Sequence, residues 1–187
     1  TAFLAVPILV HMPDSCTQRP TFKWSNAAGA SEYRLEIDAD SDFGSPEVNQ
    51  IIATNSFVPS GDLSLGLIYW RVAARDISGN QSAYSASDSF IIDISKPTVS
   101  SIVLSDPSPV KAGLLAVTIN FSEPMKTSVS PAVTFGASAS YADRSVTESS
   151  FSGSIWTGLV TIDSSIGDGN KTFRISGFED AIGNTGA

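Results

Sequence analysis

Apolar and polar residues alternate in short runs along this chain. In residues 21–25, Phe22 and Trp24 flank Lys23. In residues 32–38, Tyr33, Leu35 and Ile37 alternate with Arg34 and Glu36. In residues 68–74, Ile68, Trp70, Val72 and Ala74 alternate with Tyr69, Arg71 and Ala73. Successive side chains of a strand leave opposite faces, so a period of two predicts half-buried antiparallel strands with the first-named set inward. Residues 89–92 predict another strand, and residues 48–53 and 56–58 two shorter ones. The pattern breaks at Asp93-Ile-Ser-Lys-Pro97, where proline cannot donate a ladder hydrogen bond and holds Lys96 extended.

The second half repeats the pattern. Residues 100–104, 115–121, 133–135, 154–162 and 171–175 read as strands, with Leu115, Val117, Ile119 and Phe121 inward in the second of them. In residues 154–162 the more apolar phase is Trp156, Gly158, Val160 and Ile162, so Trp156 reads as a core residue, as Trp24 and Trp70 do from the inward phase of their own strands. Gly167-Asp-Gly-Asn170 reads as the hairpin turn before the last strand, because Gly and Asn accept positive φ at low cost. Short strands at about ten-residue spacing predict β-sandwiches. The expected organisation is all-β, with two tandem antiparallel Greek-key sandwiches over residues 1–94 and 95–187.

One internal echo carries an expectation of its own. Asp76-Ile-Ser-Gly-Asn80 follows a strand in the first half, and Asp180-Ala-Ile-Gly-Asn184 does so in the second. A full strand follows the first copy. By this parallel the second domain is expected to lack its last strand, which would come from outside this sequence or from a neighbouring chain.

Composition narrows the function classes. Of 187 residues, 42% are hydrophobic and 16% charged, enough apolar material for packed cores and too little charge for disorder. The net charge of −8, without a basic stripe, excludes a nucleic-acid partner and an anionic membrane surface. No apolar run approaches the ~20 residues that span a bilayer, so no membrane insertion is expected. The opening Thr-Ala-Phe-Leu-Ala-Val-Pro has neither an initiator Met nor a basic leader, and reads as part of something longer. The single cysteine, Cys16, cannot form an intrachain disulfide and reads as a small, partly buried apolar residue. The single histidine, His11, reads as a loop residue without an obvious partner.

The candidate chemistry is sparse. Asp38, Asp40 and Asp42, followed by Gly44, place alternating carboxylates in a turn, as a calcium loop does; a polar Asp/Ser loop is the structural alternative. The Asp-x-x-Gly-Asn turns have a structural explanation in Asp accepting from backbone N–H groups two or three residues on. Their functional alternative is a calcium site between the domains, with Asp93 and Glu123 as further ligands. Calcium is the one candidate ion, and no cofactor is implied. Glu123 with Asp143 or Glu148 would make a glycosidase pair only at ~5–9.5 Å, and nothing in the sequence places them together. A lone histidine makes no Ser/His/Asp triad, so no enzyme is expected. Tyr69, Tyr84 and Tyr141 are the surface candidates for stacking on a ligand.

Residues 13–93 resemble the fibronectin type III modules of bacterial extracellular proteins. The resemblance is carried by Pro20-Thr-Phe-Lys-Trp24, Tyr33-Arg-Leu-Glu-Ile37 with Asp42-Phe43, and Tyr69-Trp-Arg-Val72 leading into Asp76-Ile-Ser-Gly-Asn-Gln-Ser82. Ile68 stands where that family often has the tyrosine of its corner motif. Residues 98–187 are similar to a bacterial immunoglobulin-like repeat through Val117-Thr-Ile-Asn-Phe-Ser-Glu123-Pro-Met125, Trp156-Thr-Gly-Leu, Ile166-Gly-Asp-Gly169 and Asp180-Ala-Ile-Gly-Asn-Thr185. These resemblances imply a non-catalytic module of a bacterial surface-exposed or secreted protein, acting in adhesion as stalk or binding head. The alternatives are an accessory module of an extracellular carbohydrate-active enzyme and a structural subunit of a surface fibre. The implied partners are other domains of a longer parent chain and a cell-surface glycan or protein.

Overall fold

Strands form wherever one face of an extended segment can be buried, and the cores lie where those faces meet. The structure is a computed structural model that describes residues 4–186. Residues 1–3, the start of the leading segment discussed above, and residue 187 lie outside the described residues. The chain divides into two units, Thr1–Ile94 and Ser95–Ala187. Among the described residues there is no α-helix, and no helix long and apolar enough to cross a membrane.

The first unit contains β1 (Phe22–Lys23), β2 (Glu32–Asp38), β3 (Val48–Ile52), β4 (Ser56–Phe57), β5 (Gly66–Arg75) and β6 (Asp88–Ile92). One antiparallel sheet has the order β3-β2-β5-β6, and β1 pairs with β4 in a second layer. The register of β2 on β5, from Glu32↔Arg75 to Asp38↔Tyr69, sets Leu35 opposite Val72 and Ile37 opposite Trp70. All four are fully buried, as the alternation predicts. Phe22 packs edge-on against Trp70 at 5.1 Å and Phe90 at 5.8 Å, joining the layers through aromatic contacts. Regular pairing ends at Lys23, but Trp24 stays in register through its N–H to the Asn55 carbonyl, 3.1 Å.

The leading residues run beside β1: Val10 N–H donates to Lys23 O at 2.9 Å and Ser25 N–H to Ile8 O at 2.8 Å. Asp88 in β6 ties this segment down, accepting from Met12 N–H at 2.9 Å and meeting His11 Nδ1 at 3.0 Å. His11 therefore has a partner, one that lies far off in sequence. Cys16 is exposed rather than partly buried. The Ser15 and Thr17 hydroxyls accept from Thr17 N–H and Arg19 N–H and fold residues 15–19 into a surface turn.

The second unit contains β7 (Val99–Leu104), β8 (Gly113–Phe121), β9 (Ala132–Gly136), β10 (Arg144–Ser145), β11 (Thr147–Ser152), β12 (Ile155–Ile162) and β13 (Thr172–Ser176). Its sheets have the orders β11-β12-β8-β7 and β10-β9-β13. The long β8–β12 ladder runs from Ile155↔Asn120 to Ile162↔Gly113. Val117, Ile119 and Trp156 from one sheet meet Val133 and Phe135 from the other, with Phe178 beneath Phe121 at 5.0 Å between ring centres. The alternation does not announce β10 or β11. The predicted hairpin at residues 167–170 is corrected as well. β12 and β13 lie in different sheets, and residues 163–171 cross between them through a 3-10 turn, Ser164–Ile166. Gly167 and Gly169 do take positive φ, 70° and 102°.

Trp156 is accommodated by a glycine. A Cβ on Gly158 would lie 2.3 Å from the indole ring and 2.8 Å from the Thr147 carbonyl oxygen. Gly158→Val should therefore cost the second unit about 1–3 kcal/mol by overpacking. Thermal unfolding followed by tryptophan fluorescence should show its midpoint lowered by at least about 4 °C; an unchanged midpoint would mean that the ring has room elsewhere.

Candidate functional site

Most of the polar residues marked by the sequence fall into three groups, one on the outer face of a sheet and two in loops.

The first group covers the outer face of β2 and β5. Glu36 points away from the core yet is only 5% exposed. Its carboxylate meets Arg71 at 2.7 Å and Arg34 at 3.5 Å, and accepts from Tyr84 Oη–H at 2.8 Å. The Arg71 guanidinium also lies over the rings of Phe43 at 4.0 Å and Tyr84 at 4.2 Å, a stacked cation–π arrangement. Burying a carboxylate is costly unless it is paired and hydrogen-bonded, and here both conditions hold. Burial, then the bond to Glu36, pushes the Tyr84 hydroxyl above its ordinary value, so it remains a donor at neutral pH. Tyr84 is thus engaged within the fold. Tyr69 lies half-buried on the same outer face, beside the exposed Leu67 and Ile91, which face each other across β5 and β6. Tyr141 sits at φ 46° in the β9–β10 connection.

The second group is the loop after β2. Asp38 is buried; its two oxygens accept from Asp40 N–H at 3.2 Å and Ser45 N–H at 3.4 Å. Asp42 accepts from Gly44 N–H at 2.8 Å. Phe43, at φ 55°, turns its ring inward beneath Arg71. Among the described residues, Asp38, Asp40 and Asp42 do not bring three carboxylate oxygens within 4.8 Å of one another. Each of the two bonded aspartates holds backbone of its own loop.

The third group is the pair of Asp-x-x-Gly-Asn loops, and it is the same device twice. Asp76 Oδ1 accepts from Ser78 N–H and Asn80 N–H, both at 2.9 Å, and Oδ2 from the Asn80 amide at 2.7 Å. Asp180 Oδ1 accepts from Ile182, Gly183 and Asn184 N–H at 2.9, 2.6 and 2.8 Å, and Oδ2 from the Asn184 amide at 2.7 Å. Backbone bonds match in the same way. Asp76 N–H donates to Asn80 O and Ser82 N–H to Ala74 O; Asp180 N–H donates to Asn184 O and Gly186 N–H to Phe178 O. Gly79 at φ 85° and Gly183 at φ 112° supply the left-handed step that makes each loop close.

Asp180 is the more buried of the pair, at 2% exposure. Burial alone would push its carboxyl up. The Asn184 amide and three backbone N–H groups outweigh that and hold it below the ordinary carboxylate value. Asp76 is held low chiefly by the Asn80 amide.

Asp93 directly follows β6 in the first unit, and Glu123 lies two residues past β8 in the second. Within the second unit Glu123 and Asp180 bring carboxylate oxygens within 4.8 Å. The carboxylate of Asp180 already accepts four hydrogen bonds. The carboxylates considered as a glycosidase pair have separate structural tasks: Asp143 accepts from Ala137 N–H at 3.0 Å, and Glu148 accepts from Trp156 Nε1–H at 2.9 Å and bonds Ser130 Oγ.

No family model matches the chain, and no curated protein matches it. Among solved structures it is similar to the FN1–FN3 domains of chicken CNTN1, at 12% identity and a TM-score of 0.43, over 97% of this chain and 64% of that one. It is similar to the chitinase ChiA74 from Bacillus thuringiensis at 13% identity and a TM-score of 0.38, over 98% of this chain and 27% of that one. For the alpha-L-rhamnosidase from Dictyoglumus thermophilum the values are 9% and 0.43, over 92% and 27%. The chain thus spans less than two thirds of each.

The low carboxyl values fix a direction for pH dependence. A carboxylate whose value is lowered by folding contributes stability that is whole above the unfolded value of about 3.9 and is lost as pH falls through the folded value. Asp180→Asn should remove that contribution. Denaturant unfolding of the second unit should show the variant weaker than the parent at neutral pH, with the gap narrowing as pH falls below about 3.9. A gap that stays constant with pH would contradict the role given to the Asp180 charge.

Proposed function

We propose that this chain is a non-catalytic two-domain module of a bacterial surface-exposed or secreted protein, acting in adhesion as a stalk or binding head. The observation that carries the reading is the repeated aspartate loop. Both units close by the same hydrogen-bonded device, as expected of tandem modules, and Asp38, Asp42, Asp76, Asp143 and Asp180 each hold backbone of their own loops. What is left for contact is a surface. On the outer face of the first unit's sheet, Tyr69, Leu67 and Ile91 form an apolar patch on a rigid ladder. An aromatic ring beside exposed aliphatic side chains suits the face of a sugar or an apolar protein surface. The implied location is extracellular, the implied neighbours are further domains of a parent chain, and the carboxylate loops are the places where calcium would act.

The test is a glycan array and a panel of extracellular-matrix proteins, each probed with calcium and with chelator. The binding-head form expects reproducible capture of one ligand class, weakened at least about tenfold by Tyr69→Ala, a loss of about 1.4 kcal/mol. Capture lost in chelator would assign calcium to the carboxylate loops. The stalk form expects no capture under either condition. Turnover of a polysaccharide by the purified chain would overturn the proposal.

A further inference from the structure

The two units close the same loop but differ in what borders the strand leading into it. In the first unit, β6 runs antiparallel beside β5, from Gly66↔Ile92 to Trp70↔Asp88. It sends Phe90 and Ile92 into the core, 2% and 1% exposed, and leaves Ser89 and Ile91 on the outer face. The strand in the corresponding place of the second unit is β13. Among the described residues β13 pairs with β9 alone and forms the edge of its sheet.

A second observation lies behind that edge. A cleft of about 900 Å³ opens at the Phe173 end of β13, walled by both sheets of the second unit and by its 108–112 and 163–171 segments. Leu104, Leu115 and Ile162 line it from one sheet and Phe135 and Phe173 from the other, with Val110 from the β7–β8 loop. Phe173 and Ile175 pack on the core but stay only partly buried, whereas their counterparts beneath β6 are sealed. Gly177, at φ 71°, adds one residue before Phe178, so that Phe173, Ile175 and Phe178 all reach the core from one edge.

The direction in which the chain returns along this edge is set as well. Thr185 bridges Glu179 antiparallel and Gly186 N–H donates to Phe178 O, as Gln81 bridges Arg75 and Ser82 N–H donates to Ala74 O in the first unit. In the first unit that antiparallel start is followed, after residues 83–87, by β6.

We propose that the β13 edge is a docking site for one further antiparallel strand: an extended peptide segment, from outside the described residues, with apolar side chains at every second position. Its backbone pairs with the open edge, and its alternate side chains fill the cleft as Phe90 and Ile92 fill the first core. An unpaired row of backbone N–H and C=O groups is satisfied by another backbone, which is why the occupant is a peptide rather than a sugar or lipid. The inference does not rest on an adhesive role.

The experiment uses the full chain and octapeptides with alternating aromatic and branched residues, the first being the chain's own residues 87–94. Hydrogen exchange is read at the amides of Thr172–Ser176. At ten times the dissociation constant of the best peptide, exchange there should slow about tenfold. The same peptide with Phe90→Ser and Ile92→Ser should give no slowing. Leu104→Asp, which alters the cleft and not the β9–β13 ladder, should weaken the peptide at least about tenfold. Three results would overturn the proposal: no slowing with any peptide up to about millimolar concentration, slowing confined to the amides of β5, or a dimer of the chain alone in which β13 is already protected by a second copy.

Discussion

One carboxylate in each unit turns the chain back on the strand it has just left. The turn must reverse direction within five residues while leaving no buried N–H unsatisfied, and a single aspartate meets both demands by accepting from the amides ahead of it. The adjoining asparagine side chain takes the second oxygen, and a glycine supplies the left-handed step. In the first unit this places Ser82 beside Ala74 and starts the chain on its way to β6, without which Phe90 and Ile92 would not reach the core. The second unit has the same turn, which places Gly186 beside Phe178.

Substitutions around the two turns keep the device while changing what it packs against. Ala74 in the first unit corresponds to Phe178 in the second, and Ser82 to Gly186. The exchange is steric: a Cβ on Gly186 would lie 1.9 Å from the Phe178 ring. The small residue stands where the large ring needs it, and the second unit gains an aromatic contact between Phe178 and Phe121 that the first obtains from Phe22 and Trp70. The hydrogen bonds are the fixed part of the design, and the side chains beneath them are repacked around it.

Much of this architecture was legible in the sequence because its signals are local. The period of two in β2, β5, β8 and β12 named the inward faces correctly, including Trp70 and Trp156, and the alternation around β1 did the same for Trp24. The spacing of Asp, Gly and Asn encodes bonds made within five residues, so the loops could be read as loops. The failures are non-local. β11 is an exposed edge strand in which only Phe151 is even partly buried, and it is held by backbone pairing to β12 that side-chain patterning does not report. Glycines at 167 and 169 signal positive φ but not whether the chain returns within its sheet or crosses to the other. Tyr84 meets Glu36, and His11 meets Asp88, across separations that no motif spans. The candidate site suffered most from this, because what distinguishes a ligand-binding tyrosine from a structural one is the partner it finds in space.

The central claim is that the aspartates of the two turns are architectural. Native-state hydrogen exchange at the amides of Ser78, Asn80, Ile182, Gly183 and Asn184 tests it most directly. The account predicts that all five exchange slowly at neutral pH, those of each loop keeping pace with the strands of their own unit. Amides that exchange at the rate of an open loop would show that the aspartates do not hold the backbone, and would return their carboxylates to the list of groups free to act on something else.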